Sequence, residues 1–256
     1  MSGNNFFADF DENSGFDDSL LQTGKSNTEN GYLQNEAALE YFKKKQSDWT
    51  SILKATASTT AVGFTGMPII ALIGAIGTLI SLELSVSVDR IVSVLELLLD
   101  EFKNEGITIT PRVKTNSGVT DLFVRTADGR YFAFLLRSNG DSKVKWREDR
   151  QGFFVVKKGG TSKWSEVYSL GERLNSATLY LKEQKNPLLG SSNTERKKNI
   201  VKAIVLTSQT RIDPNNDPAL LVDFGRTKAL RVKTEATFYL VDKASVADFL
   251  RKPLEK

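Results

Sequence analysis

The sequence predicts an α/β domain over residues 84–256, preceded by a hydrophobic helical segment at 35–83 and a disordered acidic N-terminus at 1–34. Three observations carry this reading. The run Ala55 to Leu82 holds 28 residues without a charge. The stretch Leu84 to Asn104 repeats its apolar residues at helical spacing, and from Gly106 onward the pattern changes to alternation and short apolar runs, the period of strands.

The N-terminal residues are rich in Asn, Ser, Gly and acids and are expected to be disordered; Phe6, Phe7, Phe10 and Phe16 cluster there transiently or form a short docking motif. No basic stretch is followed by an apolar one, so a cleaved secretory signal is not expected. Residues 35–54 place Ala38, Tyr41 and Phe42 at helical spacing and end in Lys43, Lys44, Lys45 and Trp49, the residue types of a membrane interface. The uncharged run follows. A spanning helix needs about 20 mainly apolar residues, which the window Val62 to Leu82 supplies, so a membrane-anchored protein with a transmembrane helix is the first expectation. Gly63, Gly66, Gly74, Gly77, Ala71 and Ala75 supply small residues through which two such helices could pair into a homo-oligomer, and Gly66-Met67-Pro68 can break the segment into a re-entrant hairpin. A buried apolar hairpin of a soluble oligomer would carry the same pattern.

In Leu84 to Asn104, Val88, Ile91, Val92, Leu95 and Phe102 share one face, while Asp89, Arg90, Glu96, Asp100 and Glu101 occupy the rest. This helix is expected to pack on the following domain, because its charges are costly in lipid. Strands follow at Gly106 to Thr115, Thr120 to Thr126 and Tyr131 to Arg137, the last two joined by a two-residue turn at Asp128-Gly129. After a basic irregular stretch come a strand at Phe153 to Lys158, a helix at Ser169 to Gln184, buried strands at Ile200 to Ser208 and Thr237 to Val241, and a closing helix at Ala244 to Arg251. The order is α-β-β-β-(β)-α-β-β-α, a sheet covered by helices.

Charge is divided along the chain. Residues 1–54 carry a net −4 and residues 83–105 another −4, whereas residues 106–256 hold 28 Lys and Arg against 16 Asp and Glu, net +12. A polyanionic partner is the corresponding expectation, either nucleic acid or an anionic protein or lipid surface. Arg137, Lys143, Lys145, Arg147, Arg150, Lys157 and Lys158, with Trp146, Phe153 and Phe154 interleaved, have the composition of a groove that neutralises phosphates and stacks bases. The sequence contains neither Cys nor His, which excludes disulfides, thiolate nucleophiles, Cys/His zinc sites and imidazole acid–base chemistry. Catalysis would have to use carboxylates, Lys, Tyr or Ser, with a hard cation such as Mg²⁺. No GxxxxGK[ST] or GxGxxG phosphate loop occurs.

An acid opening the second strand, Asp121 in TDLFVRTADG, a hairpin to a third strand, and the later stretches KAIVLTSQTRID and ATFYLVDKASVADFLRK together resemble the PD-(D/E)xK nuclease superfamily, more closely its nuclease-related, NERD-like branch. The resemblance runs from about Val88 to Leu254 and implies a restriction-endonuclease-like α-β-β-β-α-β core. It also implies that Asp121 and a Glu-x-Lys on the third strand converge on Mg²⁺, the Lys orienting the attacking water. Here YFAFLLRS departs from that pattern: Leu135 stands at the Glu and Arg137 at the Lys, with Ser138 after it. Leucine cannot ligate a hard cation, and Arg is a poor proton acceptor though it still binds phosphate. Asp121 is then vestigial, no metal or other cofactor is expected, and Asp121→Ala should have only a local effect. An active enzyme would need a migrated acid, Glu172 or Asp141, to complete a metal site with Asp121.

The implied function is a membrane-anchored, non-catalytic nuclease-like module that binds nucleic acid or another anionic partner. Its alternatives are an active Mg²⁺-dependent nuclease with a rearranged acid pair, or a membrane assembly factor that binds only protein. With basic residues before the apolar run and acidic ones after it, a single crossing would place the domain outside the cell. A nuclease-like domain is expected in the cytoplasm, and a hairpin turning near Pro68 would keep it there.

Overall fold

The computed structural model describes residues 32–63, 68–224 and 227–252, the side chains of residues 56–84 excepted. The expected disorder of 1–34 therefore lies almost wholly outside the described residues. Helix α1 (Asn35–Gly63) and helix α2 (Pro68–Glu101) run antiparallel. Lys43 pairs with Glu96 at 2.8 Å and Gln46 donates to Asp89 at 2.7 Å, so positions advancing along α1 meet positions receding along α2. The window Val62 to Leu82 is thus shared between two helices instead of forming one. Among the described residues no helix is long and apolar enough to cross a membrane. Most of the uncharged run has side chains outside the described residues.

The C-terminal half of α2 packs on the domain, as its amphipathic pattern predicts. Val88, Ile91, Leu95 and Leu98 are buried there with Phe42 of α1. Lys243 reaches across to the hydroxyl of Ser93, fastening α2 to the far end of the chain.

The main sheet has seven strands. They are β1 (Thr108–Thr115), β2 (Gly118–Arg125), β3 (Tyr131–Arg137), β7 (Ile200–Leu206), β9 (Leu221–Phe224), β10 (Thr227–Lys233) and β11 (Thr237–Asp242), in the spatial order β1-β2-β3-β7-β11-β10-β9. The pairs β1/β2 and β2/β3 are antiparallel, whereas β7 is parallel to both β3 and β11. Helix α3 (Glu166–Glu183) lies between β3 and β7 in the chain, and α4 (Asn193–Lys197) and α5 (Val246–Arg251) complete the helices. The β2–β3 connection is one residue longer than expected. Thr126 N–H bonds to Arg130 C=O, leaving Ala127, Asp128 and Gly129 as the loop, and Gly129 takes the left-handed conformation (φ 74°) that closes such loops.

A second, four-stranded sheet was not anticipated. It comprises β4 (Ser142–Arg147), β5 (Gly152–Lys157), β6 (Gly160–Lys163) and β8 (Thr210–Ile212), ordered β6-β5-β4-β8. The stretch after Arg137, expected to be irregular, therefore contains β4.

Alternation across the main sheet builds two apolar layers. Leu122, Phe132, Phe134, Val201 and Val205 face α1, α2 and α5. On the opposite face Phe123, Leu135, Ile204, Phe238 and Leu240 meet Leu170, Leu174 and Leu181 of α3 together with Val144, Phe153 and Val155 of the second sheet. One face of the main sheet is thus covered by helices and the other by a helix and a sheet, a mixed α/β arrangement of stacked layers.

Candidate functional site

Arg137 and Asp121 meet at the carboxyl end of β3. Regular β2/β3 pairing reaches Leu122 and Phe134 and goes no further toward Asp121. There the carboxylate replaces the ladder: Asp121 Oδ2 accepts from the backbone N–H of Leu136 at 2.7 Å and from Arg137 Nη1 at 3.2 Å. The same guanidinium nitrogen donates to Leu136 C=O at 2.8 Å. The Asp121 and Arg137 side chains are 6% and 14% exposed. On β1 the position opposite Asp121 is Arg112, buried and left-handed (φ 52°), and regular pairing skips it. Ile109 and Val113, four residues apart, consequently enter opposite apolar layers. Arg173 of α3 donates to Val119 C=O at 2.6 Å, fixing the start of β2.

Asp121 is therefore paired with Arg137 and faced in register by Arg112, where the resemblance implies two carboxylates and a lysine. Leu135 is 1% exposed inside the apolar layer. Asp121 Oδ2 is engaged by the Leu136 amide and by Arg137, whose guanidinium places a positive charge against the carboxylate, so this arrangement does not fit Mg²⁺. Glu172 and Asp141 are exposed, and among the described residues no three acids gather as a metal site would need. The expectation that Asp121→Ala acts only locally requires correction: Asp121 neutralises a largely buried guanidinium and satisfies a buried amide.

The basic residues sort by strand parity. On β4, Ser142, Val144 and Trp146 turn inward, which places Lys143, Lys145 and Arg147 on the outer face. Register adds Arg211 of β8 beside Lys143, and Phe154 of β5 beside both Lys145 and Lys163 of β6. Phe154 belongs to neither apolar layer, yet it is only 4% exposed. Arg147 and Arg150 cover its ring, with guanidinium carbons 5.5 and 5.7 Å from the centroid. Lys163 lies across Gly152, where a Cβ would sit 3.3 Å from its Cε. Asp149 holds the arginine cover together, accepting from Arg147 Nε at 3.2 Å and Nη2 at 2.9 Å, with Arg150 Nε at 3.7 Å. The Arg147 hydrogen bonds keep the Asp149 carboxyl below the usual carboxylate range. Among the described residues Lys143, Lys145 and Lys163 have no acidic partner.

The platform is braced from behind. Asn216, buried, accepts from Trp146 N–H at 2.7 Å and donates to Val144 C=O at 3.1 Å. Asp242 accepts from Ile212 N–H at 2.8 Å, joining β8 to the main sheet. Burial pushes the Asp242 carboxyl above its ordinary value, although the Ile212 hydrogen bond and Arg211 act in the opposite direction.

Of the expected polyanion-binding residues, the outer face of the second sheet unites Lys143, Lys145, Arg147 and, beside it, Arg150, while Lys157, the last residue of β5, and Lys158, in the β5–β6 turn, lie exposed. Two expected members do not join them. Trp146 packs inward against Phe153, ring centroids 5.0 Å apart, and Arg137 is engaged by Asp121. Lys163 and Arg211 were missed because strands distant in sequence bring them there. The alternation of SKVKWR was nonetheless visible, with its charges on one parity. Compared with family models, curated proteins and solved structures, the chain matches none.

Proposed function

We propose that the protein is a membrane-associated, non-catalytic nuclease-like module that binds nucleic acid on the outer face of its second sheet. The observation that carries this reading is the row Lys143, Lys145, Arg147 on β4, flanked by Arg211 and Lys163, with no acid on the same strand faces. Such a surface attracts phosphates through charge and counterion release, without regard to sequence. The nuclease-like part rests on the resemblance and is supported by the order β1-β2-β3 as an antiparallel meander, then α3, then β7 parallel to β3. Leu135 in the apolar layer and Arg137 on Asp121 support a binding role over cleavage.

Membrane association rests on the uncharged run Ala55 to Leu82. The antiparallel course of α1 and α2 favours a re-entrant hairpin over a single crossing, because the chain leaves and rejoins the domain on one side. That arrangement leaves the domain and residues 1–34 in the same compartment, the cytoplasm on this reading.

The experiment measures nucleic-acid affinity of the full chain against salt concentration. Binding should weaken steeply with salt, and Lys143→Glu/Lys145→Glu/Lys163→Glu should lower it for every sequence tested and flatten the salt slope by about three phosphates. In the same preparation the chain should remain with membranes after an alkaline wash. No binding at low salt would refute the nucleic-acid reading, Mg²⁺-dependent cleavage lost in Asp121→Ala would refute the non-catalytic one, and release by the wash would refute the membrane one.

A further inference from the structure

We infer that the outer face of the second sheet is built for single-stranded nucleic acid, with Phe154 as a stacking platform and Asp149 as an internal stand-in for the phosphate. This rests on the proposed nucleic-acid reading and specifies the ligand of the same site. A phenylalanine on the solvent side of a two-layered edge has no apolar partner layer to enter. Here it is kept from water by the cationic side chains above it: Arg147 and Arg150 over the ring, and Lys163 across the neighbouring Gly152. The two arginines are held by an exposed carboxylate, not by the core. Asp149 presents two oxygens to the Nε and Nη2 edge of Arg147 and one of them to Arg150, the geometry in which a guanidinium grips a phosphate.

A nucleotide can take over both contacts. Its phosphate replaces Asp149 between Arg147 and Arg150, and its base slides onto the ring those residues uncover, beside Lys145, which lies across from Phe154 in register. Stacking of this kind requires an unpaired base, because the bases of a duplex are stacked on one another inside the helix and expose only their edges in the grooves. A duplex can still meet the Lys143, Lys145 and Lys163 charges through its backbone. Single strands therefore gain a contact that duplexes lack, and Asp149 competes with both.

The test compares an oligothymidylate of about 12 nucleotides with a duplex of similar length, by fluorescence anisotropy on the full chain. The wild type should bind the single strand more tightly. Phe154→Leu should weaken single-strand binding by about tenfold while leaving duplex binding within about twofold. Asp149→Ala, at an exposed position where folding is not at stake, should strengthen single-strand binding about two- to fivefold. Equal loss of both ligands in Phe154→Leu, or unchanged or weaker single-strand binding in Asp149→Ala, would overturn the inference. If Lys143→Glu/Lys145→Glu/Lys163→Glu abolishes binding of both while Phe154→Leu leaves their ratio untouched, the electrostatic reading stands and stacking falls. If the wild type binds neither ligand, both fall.

Discussion

Replacing Asp121 with alanine should destabilise the whole domain. The substitution withdraws the only acceptor of the Leu136 amide given by the described contacts, a group at the point where β2 and β3 part. Leaving such a buried donor unpaired costs about 1–3 kcal/mol. It also removes the carboxylate that faces Arg137, whose side chain is 14% exposed. Removing one partner of a fully buried pair costs about 3–5 kcal/mol, but Arg137 retains its bond to Leu136 C=O and some access to water, so the lower end applies. These effects overlap, and the expected total is about 3 kcal/mol. For a chain of this length that is a fall in melting temperature of roughly 6–12 °C. Asp121→Asn keeps an acceptor for the amide and should cost about half as much. Asp121→Ala/Arg137→Met should recover part of the loss, since it removes the largely buried positive charge together with its carboxylate. Urea unfolding of the three variants measures the differences, and hydrogen exchange at the Leu136 amide locates them. A cost below about 1 kcal/mol for Asp121→Ala, or equal costs for Ala and Asn, would show that the carboxylate is not what closes this end of the sheet.

Two further perturbations test the packing around the main sheet. Leu135→Glu, even combined with Arg137→Lys to install the pattern that the resemblance implies, should fold poorly or lose about 3–5 kcal/mol in urea, because the new carboxylate enters a layer where Leu135 is 1% exposed; a stable double variant that binds Mg²⁺ would show that the layer admits a second acid. Asp242 supplies the pH test. Its carboxyl is raised by burial, so the native state keeps this proton to higher pH than the unfolded chain, and the associated stability is present at acid pH and lost as pH rises through the raised value. Asp242→Asn retains an acceptor for Ile212 N–H and should be more stable than the parent at neutral pH, with a flatter urea-midpoint profile across the carboxylate range; lower stability there would mean that the charge itself is needed.

Much of the fold can be read from local pattern. Strand β3 has the predicted limits, Tyr131 to Arg137, and β7 and β11 begin where their apolar runs begin, at Ile200 and Thr237. A strand buried on both faces must be apolar throughout, so its limits are written in consecutive residues. Strands β4, β6, β8, β9 and β10 escaped this reading. They are short or half exposed, and a strand such as β8, three residues long, is stabilised by Lys143 and Asp242 backbone and side-chain neighbours that are distant in the chain. The antiparallel partnership of α1 and α2 was one of several outcomes that Gly66-Met67-Pro68 permits.

The sequence by itself determined that the third strand ends in Leu135-Leu136-Arg137, with no carboxylate or lysine in it, and that the residues from 106 onward carry a net +12. Those statements follow from residue identity alone. Only the tertiary structure decided what the charges do. Arg137 and Arg147 are ten residues apart on strands that follow one another in the chain but belong to different sheets, yet one is spent on Asp121 inside the domain and the other lies over Phe154 at the surface. Strand parity sends Trp146 inward and its neighbours Lys145 and Arg147 outward, while register brings Lys163 and Arg211 to join them. Charge is a property of each residue, but burial and partnership are set by which distant strands the backbone hydrogen bonds bring alongside it.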